Sequence, residues 1–177
     1  CEEKDCNCEN DQKESKPDVP ADDFVETQHS ITIDGKEIKY TARAGRIILK
    51  EEDKETGEKA KASIFFVAYT KDGVEDPAER PITFAFNGGP GSSSVWLHMG
   101  LFGPKRVLMD EIGNPLPPPY KLTENEYSLL DETDFVFIDP VSTGYSRSVP
   151  GEDPKEFHHI TKDIESVGDF IYLLTSR

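Results

Sequence analysis

Between residues 87 and 94 the chain reads Asn87-Gly88-Gly89-Pro90-Gly91-Ser92-Ser93-Ser94. Nothing else in the sequence constrains the fold as much. Three glycines and a proline are costly inside a helix or a strand. The run also falls between an apolar strand pattern, Ile82 to Phe86, and a short helical one, Val95 to Phe102. It therefore reads as a tight strand-to-helix turn. The three serines are expected in the first turn of that helix, where backbone N–H groups have no intrahelical partner and the helix dipole favours negative charge. The expected product is a cup of donors at the end of a strand, suited to an anion or an oxyanion.

The flanking segments suggest what carries the cup. Ile31 and Ile33, then Ile38 and Tyr40, alternate with polar residues around Asp34-Gly35, which predicts a hairpin. Arg46 to Lys50 reads as another short strand, and Glu51 to Lys59 as a charged loop. Ala62 to Tyr69 is a strand. Pro81 to Phe86 is apolar on both faces apart from Thr83, which predicts a central strand covered on both sides. Val107 to Met109 reads as a short strand, and the proline-rich residues 110–133 as an irregular excursion. Phe135 to Asp139 is the second fully apolar strand, followed by the glycine-containing loop Val141 to Ser148. Asp153-Pro154-Lys155-Glu156 then reads as a helix start, with the alternative start near Thr161. Phe157, Ile160, Ile164, Val167, Ile171 and Leu174 follow at helical spacing. The fold class is thus α/β, with a mixed central sheet and antiparallel leading strands. In open sheets of this kind ligands bind beyond the C-terminal strand ends, where both glycine loops lie.

Charge separates a tail from this domain. The net charge is −15, and residues 1–26 carry ten Asp or Glu against three Lys, a net of −7. Residues 1–26 are expected to be a disordered acidic tail or tether, and 27–177 the folded part. So acidic a chain would repel nucleic acid, which is excluded as a partner. All three cysteines, Cys1, Cys6 and Cys8, lie in the tail, so no disulfide framework is expected in the domain. They fall short of a closed zinc site, and neither metal nor cofactor is called for. A leading Cys1 before a polar, acidic segment resembles a processed lipoprotein; its expected consequences are a lipidated membrane tether and a cell-envelope or secreted location. The other reading of Cys1 is an arbitrary boundary. The oligomeric state is not legible.

Three chemical readings of the glycine turn compete. Gly89-Pro90-Gly91-Ser92-Ser93-Ser94 is one glycine short of a dinucleotide fingerprint, with Asp110 placed 19 residues after Gly91 as a ribose acid. A purely structural turn is the second. The third is an oxyanion hole. Asn87 to Ser94 strongly resembles the N-G-G-P-G-C/S-S-S signature of the serine carboxypeptidase family, and Asp139-Pro140-Val141-Ser142-Thr143-Gly144-Tyr145-Ser146 resembles that family's second loop, in the same order. The resemblance covers roughly residues 60–177. It implies the N-terminal part of an α/β-hydrolase fold and a Ser-Asp-His hydrolase removing C-terminal residues from peptides through an acyl-enzyme. It also implies that the Gly89 backbone N–H donates to the oxyanion, while Asn87 and Gly88 help hold the carboxylate of a peptide substrate.

Two departures bear on specificity. Family members that grip a C-terminal carboxylate carry Trp where this chain has Ala85 and Glu where it has Leu101. With Ser92 at a position often occupied by Cys, the pattern resembles a bacterial branch. No G-x-S-x-G nucleophile elbow occurs in the sequence. Gly144-Tyr145-Ser146-Arg147-Ser148 lacks the final glycine, and Ser146 is expected to be structural. His29, His98, His158 and His159 do not occupy the position of the family's base, and His98 is expected to be packed. By this reading the chain stops short of the triad and is inactive alone. The alternative is a non-catalytic binding or surface protein that keeps the hydrolase sheet.

Overall fold

A computed structural model describes residues 21–53 and 57–176. The three cysteines and most of the expected tail lie outside the described residues. In chain order the strands are β1 (Asp23–Ile33), β2 (Lys36–Asp53), β3 (Gly57–Lys71), β4 (Ile82–Ala85), β5 (Lys105–Val107), β6 (Leu122–Glu124), β7 (Asp134–Ile138) and β8 (Arg147–Ser148). A short helix α1 (Val95–Leu97) runs directly into a π turn, His98–Phe102, and α2 (Ile160–Thr175) closes the described chain. The main sheet has the order β1-β2-β3-β7-β4, with β8 pairing β3; β5 and β6 form a separate ribbon. β4 runs parallel to β7 and the other pairings are antiparallel. This is the mixed sheet with antiparallel leading strands that the pattern predicts.

The first hairpin forms where expected. Asp34 (φ 47) and Gly35 (φ 75) both take positive φ, the turn geometry that matches the twist of two-residue hairpins. β1 begins at Asp23, so residues 23–26, assigned above to the tail, are paired strand opposite Arg43–Arg46. These exposed residues, two acidic and two apolar, read as tail because the pairing on an outer strand is made by backbone, which composition does not report. Arg46 to Lys50 is no separate strand but the middle of the 18-residue β2, which bends through a register shift between Leu49 and Lys50. The expected loop Glu51 to Lys59 shrinks accordingly, since β2 runs to Asp53 and β3 starts at Gly57.

Strand alternation sorts side chains onto two faces. On one, Ile64, Phe66, Val136 and Ile138 pack with Phe157, Val167 and Phe170. On the other, Ile31, Tyr40, Tyr69, Phe135 and Phe137 pack with Ala85 and Leu130, backed by Leu97 and Phe102. Burying a ring such as Phe170 contributes about 2–3 kcal/mol.

Two expectations fail at the edge of this core. β4 is not central: among the described residues its only strand neighbour is β7, and Ile82 and Phe86 are exposed. Its apolarity predicts burial, but strand order decides which strand gets covered. The final helix starts not at the Asp153 cap but at Ile160, beside the alternative start near Thr161. Asp153 does cap, accepting from Lys155 N–H at 2.9 Å, yet what it caps is a 3₁₀ turn, Pro154–His158. In α2 the expected positions Ile160 and Ile164 are exposed, and Phe170, which the stripe omits, is fully buried.

Candidate active-site loops

β4 and β7 are parallel neighbours, with Ala85 beside Phe137. Their following loops therefore leave the same end of the sheet. The glycine turn follows β4, and the loop from Asp139 follows β7. A buried carboxylate joins them. Asp139, 6% exposed, accepts the Ser94 backbone N–H on Oδ1 at 2.8 Å and the Tyr145 N–H on Oδ2 at 3.1 Å. Ser94 is buried as well, and its hydroxyl donates to the Ile138 carbonyl. Below this, Ser146 is fully buried; its Oγ donates to the Asp139 carbonyl at 2.6 Å and accepts the Phe65 N–H at 2.7 Å. Ser146 thus fastens the second loop to β3, the structural role expected of it. Gly144 (φ 43) packs so closely that a Cβ there would run into the Asp139 carboxylate and lie 2.9 Å from Ser93 Cβ. The clasp through Asp139 was missed in the sequence. Its only signal was an acid ending an otherwise apolar strand, which becomes meaningful once the two loops are known to be adjacent.

On this base the glycine turn borders a cleft of about 680 Å³. It is lined by Asn87, Gly88 and Gly89, by Pro140 to Thr143, and by Phe157, His158 and Ile160. Gly89 (φ 143) and Gly91 (φ 93) take backbone conformations that L side chains rarely adopt. Among the described residues no acceptor takes the Gly88 or Gly89 backbone N–H. The Asn87 amide donates to the Gly88 carbonyl at 3.2 Å. The serines do not form a first helical turn: Ser92 and Ser93 precede the helix, and Ser94 is its N-cap. The Ser94 N–H is spent on Asp139 instead of facing the cleft. α1 is only three residues long, so the N–H groups bordering the cleft belong to glycine backbone and not to a helix terminus.

His98 is packed, as expected. Its Nε2 is 2.6 Å from the Tyr69 hydroxyl and its ring stacks on Phe137 at 4.7 Å. Burial lowers its pKa to about 4, and burial raises that of the Tyr69 phenol. His158 lines the cleft and is exposed. Asp110, the acid of the nucleotide reading, is occupied locally: it accepts the Asn114 and Ile112 N–H groups and the Asn114 side-chain amide, and these bonds, Asn114 first, hold it below the usual carboxylate range. Among the described residues no three His, Cys, Asp or Glu gather as metal ligands.

Comparison with known proteins agrees with the two loops. Residues 53–174 match the serine carboxypeptidase family. The chain belongs to that family. It is 32% identical over 126 residues to the pheromone-processing carboxypeptidase KEX1 of Saccharomyces cerevisiae, a match covering 70% of this chain and 16% of that protein. It is 40% identical over 77 residues to carboxypeptidase Y homolog A of Phaeosphaeria nodorum, covering 41% of this chain and 12% of that protein. The crystal structure of a prohormone-processing carboxypeptidase from Saccharomyces cerevisiae aligns with a TM-score of 0.46 at 32% identity, over 59% of this chain and 20% of that one. The chain therefore spans about 16% of the length of the first of these relatives.

Proposed function

We propose that this chain supplies the oxyanion and carboxylate-gripping loop of a serine carboxypeptidase that removes C-terminal residues from peptides through an acyl-enzyme. In this reading Gly89 donates its N–H to the oxyanion, and Asn87 with the Gly88 backbone receives the substrate's terminal carboxylate. The observation that carries it is the pair of unengaged Gly88 and Gly89 N–H groups beside a cleft at the C-terminal end of β4. Such donors act on charge that develops in the transition state, and because the turn is held from below they need little reorganisation.

The nucleophile, base and orienting acid belong, on this proposal, to polypeptide outside residues 1–177. Two features support that. The sequence has no nucleophile elbow. Among the described residues the apolar strand β4 has a strand neighbour on one edge alone, and Ile160, at the cleft, and Ile164 are exposed on α2. A further strand along β4 and a helix against α2 would bury both. The isolated chain is then expected to give no burst with an activated ester and no labelling by a fluorophosphonate.

The test is made on the longer protein carrying this chain. Peptides with free C-termini should be cleaved and their amidated forms spared; equal cleavage of both would remove the role of Asn87 and Gly88 in carboxylate recognition. Gly89→Ala, strained at φ 143, should lower kcat about a hundredfold by moving the donor. The missing elbow equally suits a second reading, a non-catalytic binding protein on the same sheet. An elbow in the protein's further sequence would exclude it.

A further inference from the structure

His98 is a partly buried titratable group that the proposed chemistry does not use. Its surroundings are unusual for a packed histidine. It opens the π turn that follows the glycine turn, and turns of this kind recur at functional sites. Its backbone N–H and that of Leu97 both bond to the Ser94 carbonyl, at 2.8 and 3.0 Å. Ser94 is the residue through which the glycine turn hangs on Asp139 and Ile138. The ring lies against Phe137 and reaches Tyr69 on β3. A cavity of about 240 Å³ behind the glycine turn is bordered by His98, Ser93, Ser94 and Asp139.

We infer that His98 and Tyr69 form a latch that sets the conformation of the glycine turn, acting through the π turn and Ser94, with His98 as a positioning residue. In the latch the neutral ring carries its proton on Nδ1 and accepts the Tyr69 O–H on Nε2. When the ring takes a proton, Nε2 becomes a donor, the phenol must rotate to accept, and a cation is left inside the apolar packing of Phe137. The latch then loosens and the Gly88 and Gly89 N–H groups shift. The titratable groups facing the ring are Tyr69 on β3 and, across the cavity, Asp139 after β7 and Tyr145 in the second loop; Tyr40 on β2 stands behind Tyr69. Asp139 opposes the effect of burial on the ring. The catalytic consequence rests on Gly89 being an oxyanion donor; the latch itself concerns only the shape of the turn.

The test is ¹H–¹⁵N spectroscopy of the full chain against pH, with His98→Gln, which keeps an acceptor but cannot titrate, and Tyr69→Phe, which removes the hydroxyl. The Gly88 and Gly89 amide shifts should follow the His98 ring titration in the wild type and lose that component in His98→Gln. In Tyr69→Phe the Leu97 and His98 amides should exchange about tenfold faster, the effect of one lost hydrogen bond. The Phe170 amide, across the sheet, should be unchanged in both. An identical titration of the glycine amides in His98→Gln overturns the latch, as does exchange that rises equally at Phe170. The two proposals fail separately. If Gly89→Ala leaves hydrolysis intact while the titrations couple, only the oxyanion reading falls. If Gly89→Ala abolishes hydrolysis while His98→Gln changes nothing at the turn, only the latch falls.

Discussion

Asp139 and Glu152 are both almost completely buried acids that bind separate loops to the sheet, and they do it in opposite ways. Asp139 is met by two backbone N–H groups, of Ser94 and Tyr145. Glu152, its side chain 6% exposed, is met by Lys59 and Lys61, each at 2.5 Å. Around it Lys61 also reaches Glu51 and Glu156, and Lys162 joins Glu51 to Glu165. Backbone donors are held by the chain itself and define a position closely. Lysines on long flexible stems fasten a segment but leave it freedom. The site loop has the rigid kind of anchor; the segment leading into α2 has the tolerant kind.

The comparison can be broken at several points. The largest expected effect is at Asp139→Ala, which leaves the buried Ser94 N–H and the part-buried Tyr145 N–H without their acceptor. Stability should fall by roughly 4 kcal/mol, read from urea unfolding, with Asp139→Asn losing less because one oxygen remains. A loss under 1 kcal/mol would show that the clasp is not what holds the loops. Next is the pH dependence contributed by His98. Its folded pKa, about 4, lies below the ordinary histidine value near 6.5, so the unfolded chain binds the proton first. Stability should therefore decline as pH falls from 6.5 to 4, by roughly 3 kcal/mol in all, and His98→Gln should flatten that segment of the curve.

Glu152→Gln comes third, at about 2 kcal/mol, since it uncouples two lysines of which Lys59 is half exposed and screened. The Lys59 and Lys61 hydrogen bonds lower the Glu152 pKa. Its contribution is complete above the ordinary glutamate range and is lost as pH drops through the lower folded value. The same substitution should thus remove an acid-side loss of stability distinct from that of His98. The smallest effect belongs to the exposed pair of Glu26 and Arg43. Glu26→Gln should change stability by less than about 0.5 kcal/mol; a larger change would mean that the β1 edge is held more tightly than its exposure suggests.

Much of this architecture was legible in residue pattern. Asp34-Gly35 announced its hairpin because few residues accept two successive positive φ angles. The glycine turn was legible for the same reason. The apolar run Phe135 to Ile138 read as a covered strand and is one. The errors occurred where covering depends on distant neighbours. Ile82 to Phe86 is apolar apart from Thr83, as Phe135 to Ile138 is throughout, yet among the described residues one strand lies at the edge of the sheet and the other inside it. Ile160 and Ile164 keep helical spacing with Val167, but only Val167 faces the sheet. Asn87, Gly88 and Gly89 were singled out by the motif, whereas Asp139, Ser94 and His98 acquired their meaning from contacts across 45 residues or 29.

The sequence by itself determined where the chain must turn, which segments extend, and that the turn at Gly88-Gly89 offers backbone donors. These follow from φ preferences and from side-chain periodicity, both properties of neighbouring residues. Tertiary structure alone decided which donors remain free. By setting β4 parallel beside β7 it brought the Asp139 carboxylate against the glycine turn, where it takes the Ser94 N–H, while among the described residues no acceptor takes those of Gly88 and Gly89, which border the cleft. A hydrogen bond between two loops depends on strand order, and strand order is set by packing of the whole sheet rather than by either loop.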